Sequence, residues 1–139
     1  LVKFLAGLKG EGKTRKLMDM ANENAKVTDG SLVYIDDDRR RIHDLHRDVR
    51  YVEAGKGELA NYREFIGFVL GILSQNSDIT HIYVDGLNNI IAPDKVTNDC
   101  LSKLKARLDS LVKTDHVSFT ISVHSDKDSL PDDIKASLV

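Results

Sequence analysis

Along the chain the apolar positions switch between two spacings, and the switches mark the elements. Residues 1–6, LVKFLA, are apolar apart from Lys3 and predict a short buried strand. Leu17, Met18, Ala21 and Ala25 then fall at helical spacing, which predicts a helix from Thr14 to about Lys26. A turn at Asp29-Gly30 leads into SLVYI, residues 31–35, a second strand that runs into Asp36-Asp37-Asp38. Residues 39–50, RRRIHDLHRDVR, are dense in charge and fit a loop or a short helical turn. Val49 to Ala54 predict a short edge strand closed by Gly55 and Gly57. Tyr62, Phe65, Ile66, Val69, Leu70 and Leu73 then make a broad apolar stripe, predicting a helix over 58–75.

THIYVDGL, residues 80–87, reads as a buried strand that stops at Asp85. Pro93-Asp94 is expected to open the next helix, with Leu101, Leu104, Leu108 and Leu111 on its core face. HVSFTISVHS, 116–125, is the last strand, and Pro131 precedes a brief helical tail. Strands alternating with helices predict a single α/β domain over 1–139, with a mostly parallel sheet of about five strands covered on both faces. In the last strand Ser118, Thr120, Ser122 and His124 alternate with Val117, Phe119, Ile121 and Val123, so its polar face is expected to meet water.

Composition narrows the partners. The net charge is −2, so no overall basic field draws nucleic acid. Cys100 is the only cysteine, which rules out an internal disulfide framework and fits a reducing compartment. No apolar run reaches the ~20 residues of a membrane span, and no charged-then-apolar leader is seen, so a soluble cytoplasmic protein is expected.

Chemistry concentrates in GLKGEGKT, residues 7–14. Gly7, Gly12, Lys13 and Thr14 complete G-x-x-x-x-G-K-[ST], with Gly10 as an additional glycine. Glycines let backbone N–H groups close around phosphate oxygens where a Cβ would clash. Lys13 supplies a mobile cation for the β- and γ-phosphates, and the Thr14 hydroxyl a ligand for Mg²⁺. The helix that starts here adds its positive N-terminal end. Asp85, at the end of a buried strand far downstream, stands where a magnesium-organising carboxylate is needed.

On these motifs the chain resembles the P-loop NTPases, and their order (GLKGEGKT, YIDDD, VDGLNNIIAP, TISVHS) resembles the RecA-like ATPase core. The resemblance implies a three-layer α/β/α domain with sheet order 5-1-4-3-2 or a trimmed version, the last strand lying between the loop strand and the aspartate strand. It implies ATP and Mg²⁺ as ligands, with Gly7, Gly10, Glu11, Gly12, Lys13, Thr14 and Arg15 on the nucleotide and Thr14 and Asp85 on the metal. Lys13 would act on the reacting phosphate. Asp38 stands where the family carries a water-polarising glutamate, and His124 or Ser125 where a polar residue meets the γ-phosphate. An aspartate is one methylene shorter than that glutamate, and Gly86 rather than a glutamate follows Asp85. Slow hydrolysis is therefore expected. The chain also resembles small P-loop proteins of Gram-positive bacteria, some labelled twitching-motility ATPases, although the histidine-bearing motif of those motors has no counterpart here.

Three functions follow: a slow or partner-stimulated ATPase, a nucleotide switch with negligible turnover, and a small-molecule or nucleoside kinase. No N-K-x-D signature for guanine is present, which favours ATP. Arg39, Arg40 and Arg41 are expected to form a solvated loop, with phosphate binding as the alternative. His43 and His46 lack the partners a metal site needs. RecA-like relatives often complete their sites between subunits, which makes a homo-oligomer or a protein partner an expectation.

Overall fold

Five short apolar runs become strands because each is followed by a segment able to cross back over the sheet. The computed structural model describes residues 1–139. The order is β1 (Val2–Gly7), α1 (Lys13–Ala25), β2 (Ser31–Asp36), β3 (Val49–Glu53), α2 (Tyr62–Gln75), β4 (Ile79–Val84), α3 (Leu87–Ile90), α4 (Asn98–Asp115), β5 (Ser118–His124) and α5 (Asp132–Lys135). Single 3₁₀ turns lie at Ile42–Asp44, Pro93–Lys95 and Lys127–Ser129.

Every strand pairing is parallel, in the order β1-β5-β4-β2-β3. The larger core, 23 buried residues, packs α2, α3, α4 and α5 against one face through Phe65, Ile66, Val69, Leu101, Leu104 and Leu108. The smaller, nine buried residues, packs Leu17, Met18 and Ala21 of α1 against the other. This is a three-layer α/β/α arrangement. All five strands run the same way, so every C-terminal strand end opens on one edge, where open α/β sheets hold ligands.

The order 5-1-4-3-2, numbered straight through, is not what forms. β5 does lie between β1 and β4, as expected of the last strand. β3 is an added edge beyond β2, and no full strand flanks β1 on its outer side. There Leu138 makes a single parallel bridge to Phe4, with Phe4 N–H on Ser137 O and Val139 N–H on Phe4 O, each at 2.9 Å.

Two helix starts differ from expectation. α2 begins at Tyr62 because Leu59 is engaged in a bridge to Ile91 and Asn61 forms the cap, its side chain accepting from Glu64 N–H. The Pro93-Asp94 pair makes only a 3₁₀ turn; α4 starts at Asn98, capped by the Thr97 hydroxyl accepting from Cys100 N–H. The polar face of β5 meets water only at its ends: Thr120 and Ser122 are buried under α1's side of the sheet, while Ser118 is half-buried and His124 exposed. No helix is long and apolar enough to cross a membrane.

Candidate functional site

The loop between β1 and α1 is built around backbone that only glycine adopts at low cost. Gly10 has φ 84° and Gly12 φ 80°, both left-handed. At Gly7 an added Cβ would stand 3.3 Å from Lys13 Cγ, so glycine also keeps the lysine stem close to the strand end. α1 then begins with Gly12 as its N-cap, with no side-chain cap and no acidic residue in its first turn. Its leading amides are left to an outside acceptor, and the helix dipole favours an anion there.

Lys13 folds back over the loop, its Nζ donating to Gly7 O at 2.7 Å and to Leu8 O at 3.1 Å. Desolvation lowers its pKa, opposed by the charges of Glu11 and Asp85. The Glu11 carboxylate accepts from Leu8 N–H across the loop. Arg15 points outward and pairs with Asp19 at 3.5 Å.

Asp85 joins the loop to the sheet. Thr14 Oγ1 donates to its Oδ1 at 3.1 Å, and the buried Tyr34 hydroxyl donates to its Oδ2 at 2.7 Å. Ser122 Oγ, 3.4 Å from Oδ1, accepts from Gly86 N–H at 2.7 Å. Parallel register explains the grouping. Leu5 pairs with Ser122, Val84 with Ile121 and Ile35 with Val84, so the positions one step further, Ser122, Asp85 and Asp36, fall in a single row. Gly7 pairs with His124 at the next level, which brings His124 to the rim.

Asp36 is the second buried carboxyl of that row. Burial pushes its pKa up to about 7; the Tyr51 hydroxyl opposes this and the Asp85 charge adds to it. Tyr51 Oη lies 2.6 Å from both Asp36 Oδ2 and the Asp38 carbonyl. A phenol has one proton to give, so a protonated Asp36 donating to Tyr51 satisfies all three groups. One level below, Thr120, Tyr83, Tyr34 and Tyr51 fall in register across four strands. The three rings stack at centroid spacings of 5.9 and 6.4 Å.

These elements line a cleft of about 1180 Å³ at the C-terminal edge of the sheet. Gly10, Gly12, Lys13, Thr14, Asp85 and His124 from the sequence reading meet there, with Lys9, Asp37, Arg40, Arg41, Lys56, Asn88, Asn89 and Ser122. No lining residue is hydrophobic. Asp38 is not in the lining; its Oδ1 takes the Arg40 N–H at 3.1 Å and lies 3.3 Å from Arg40 Nε. Its neighbour Asp37 is, and Asp37 Oδ1 is buried without a hydrogen-bond partner. The His124 N–H donates to Asn88 Oδ1 at 2.8 Å, while Ser125 Oγ turns to the Asp126 carbonyl. The arginine segment is only partly the solvated loop expected, since Arg40 and Arg41 reach the cleft. A smaller cavity of about 250 Å³ lies at the opposite sheet edge, around Gly30 and Ser31.

The residues missed from the sequence, Asp36, Asp37, Tyr34 and Ser122, belong to the strand ends beside Asp85. For Asp36, Tyr34 and Ser122 the signal was the phase of each strand, since every second residue shares the Asp85 face; Asp37 lies just past the end of β2, out of that phase. No protein-family model matches the chain, and no curated protein matches its sequence significantly.

Proposed function

We propose that the chain is a P-loop nucleotide-binding protein of RecA-like core, taking a nucleoside triphosphate with Mg²⁺, ATP favoured, and hydrolysing it slowly or on stimulation by a partner. The observation that carries this reading is the junction of loop and strand, where Thr14 Oγ1 meets Asp85 Oδ1 at 3.1 Å beside an uncapped helix start. Topology supports it as well. With the added strand β3 set aside, the sheet reads Leu138 bridge, β1, β5, β4, β2, which is 5-1-4-3-2 with its first member shortened to one bridge.

The donor set suits magnesium: hydroxyl and carboxylate oxygens from Thr14 and Asp85, with Ser122 beside them, are hard ligands. Thr14 and Asp85 would hold the ion, which would supply positive charge against the negative charge that builds on the phosphates during phosphoryl transfer. The chain's own groups do the rest. Lys13 exchanges the Gly7 and Leu8 carbonyls for phosphate oxygens, and the first amides of α1 take others. Tyr34 fixes the Asp85 carboxylate from the buried side through Oδ2, leaving Oδ1 toward Thr14. Asp37, with an oxygen still free to accept, is the carboxylate best suited to orient a water, whereas Asp38 is committed to Arg40. Because Asp37 is a shorter acid than a glutamate, turnover is slow.

Calorimetric titration with Mg·ATP and Mg·GTP, followed by phosphate release, tests the reading. Lys13→Ala removes a charge-assisted contact and should weaken binding about tenfold or more. Asp85→Asn should remove most of the Mg²⁺ dependence. A wild-type chain that binds neither nucleotide ends the proposal; binding without turnover leaves the switch, and ADP formed only with an acceptor leaves the kinase.

A further inference from the structure

The cleft is larger than one nucleotide tail requires, and its charge does not stop at the loop. Its volume of about 1180 Å³ exceeds the ~300–1,000 Å³ usual for a small-molecule pocket. It carries five cationic side chains against two carboxylates, in a chain whose net charge is −2. Pro93 and His124 are the only ring-bearing residues in its lining.

The cations come from separate places on the sheet. Lys9 and Lys13 follow β1, at one edge. Arg40 and Arg41 follow β2, and Lys56 follows β3, at the other edge. Adjacent strands are about 4.8 Å apart, so β1 and β3 are separated by roughly 19 Å. The Lys56 loop reaches back part of this distance: Gly57 N–H donates to Asn89 O at 2.7 Å, just beyond β4. That anchor is two strands from β1, or roughly 10 Å.

Lys56 is held there by unusual backbone. Gly55 and Gly57 on either side have φ 84° and 59°, and a Cβ at Gly55 would clash with Glu58 at 2.5 Å. The lysine itself makes no ion pair, although seven such pairs form elsewhere in the chain. Arg41 is only loosely held, its Nη1 3.8 Å from Asp36 Oδ2.

We propose that Lys56, with Arg41 and Arg40, forms a second anion subsite in the cleft, which takes the phosphate of a second small ligand beside the bound nucleotide. This rests on the reading of the loop as the nucleotide site, and names the class of co-ligand that site would work with. A phosphate monoester fits the cation set: guanidinium groups match its oxygens in pairs, and the lysine adds a point charge.

The test uses inorganic phosphate, titrated at constant ionic strength into protein saturated with Mg²⁺ and a non-hydrolysable ATP analogue, so that the loop is already filled. The wild type should bind phosphate. Lys56→Ala should weaken that binding about tenfold, while its affinity for the analogue changes less than about twofold. No phosphate binding by loaded wild type, or equal binding by Lys56→Ala, overturns the subsite. So does an equal loss of analogue affinity, because Lys56 would then belong to the nucleotide site. If the wild type takes no nucleotide, the loop reading fails separately, and the subsite is judged in Lys13→Ala protein, where Lys56→Ala must still cut phosphate binding.

Discussion

Two buried groups with displaced pKa values pull the protein's pH response in opposite directions. Asp36 titrates near 7 when folded against about 3.9 when unfolded, so the folded state binds more protons between those values. Stability from this group is greatest near pH 4 and declines as pH rises to 7. His81, stacked on Tyr83 at 4.2 Å and bonded to Thr120 Oγ1 at 2.8 Å, is lowered to about 4 by burial, with a smaller push from the N-terminal charge. There the unfolded state binds more protons between about 4 and 6.5, and stability rises with pH. In magnesium-free denaturant melts, Asp36→Asn should gain on wild type as pH goes from 4 to 7. His81→Gln should gain on wild type as pH falls from 6.5 to 4. Neither slope should exceed about 1.4 kcal/mol per pH unit. Parallel pH profiles for variant and wild type would remove the burial assignment.

At the scale of elements, local chemistry sets the boundaries that periodicity left loose. Asn61 accepts from Glu64 N–H at 3.0 Å while Glu64 Oε1 accepts from Ala60 N–H at 2.7 Å, one residue before the cap, so both side chains hold the start of α2. Asn61→Ala should cost about 1 kcal/mol, read as a lower denaturant midpoint with unchanged m. The stripe from Tyr62 to Leu73 made that helix legible, but its start hung on the N-Y-R-E spacing, which the apolar pattern does not weigh. The Pro93-Asp94 pair misled for a related reason. Proline at a helix start is common, yet Thr97-x-x-Cys100 supplied the cap used. Asp85 and the glycine loop could be read directly, because their chemistry lies within a few consecutive residues. Ser122 and Asp36 became partners of Asp85 only through strand register, which no local pattern prints. Lys56 was hidden in a glycine pair that read as a strand stop.

For the whole molecule, strand ends from β1, β4 and β5 meet on one loop, so a ligand there ties distant parts of the chain together. A ligand that binds only the folded state at a concentration of about 100 Kd adds about 2.7 kcal/mol. For a chain of this size that raises Tm on the order of 8 °C. Scanning calorimetry with Mg·ATP should show the rise in wild type, and a much smaller one in Lys13→Ala. An equal rise in both would mean that the nucleotide binds away from the loop.

The tyrosine row has an optical consequence. The chain has no tryptophan and four tyrosines, and all but Tyr62 lie in the stack across β3, β2 and β4. Two of the three share protons with the carboxyls of the cleft floor. The near-ultraviolet absorbance and emission of the unlabelled protein therefore originate largely beside Asp85 and Asp36. A cation that takes hold of Asp85 changes the hydrogen bond of Tyr34, and the molecule carries its own dye for that event.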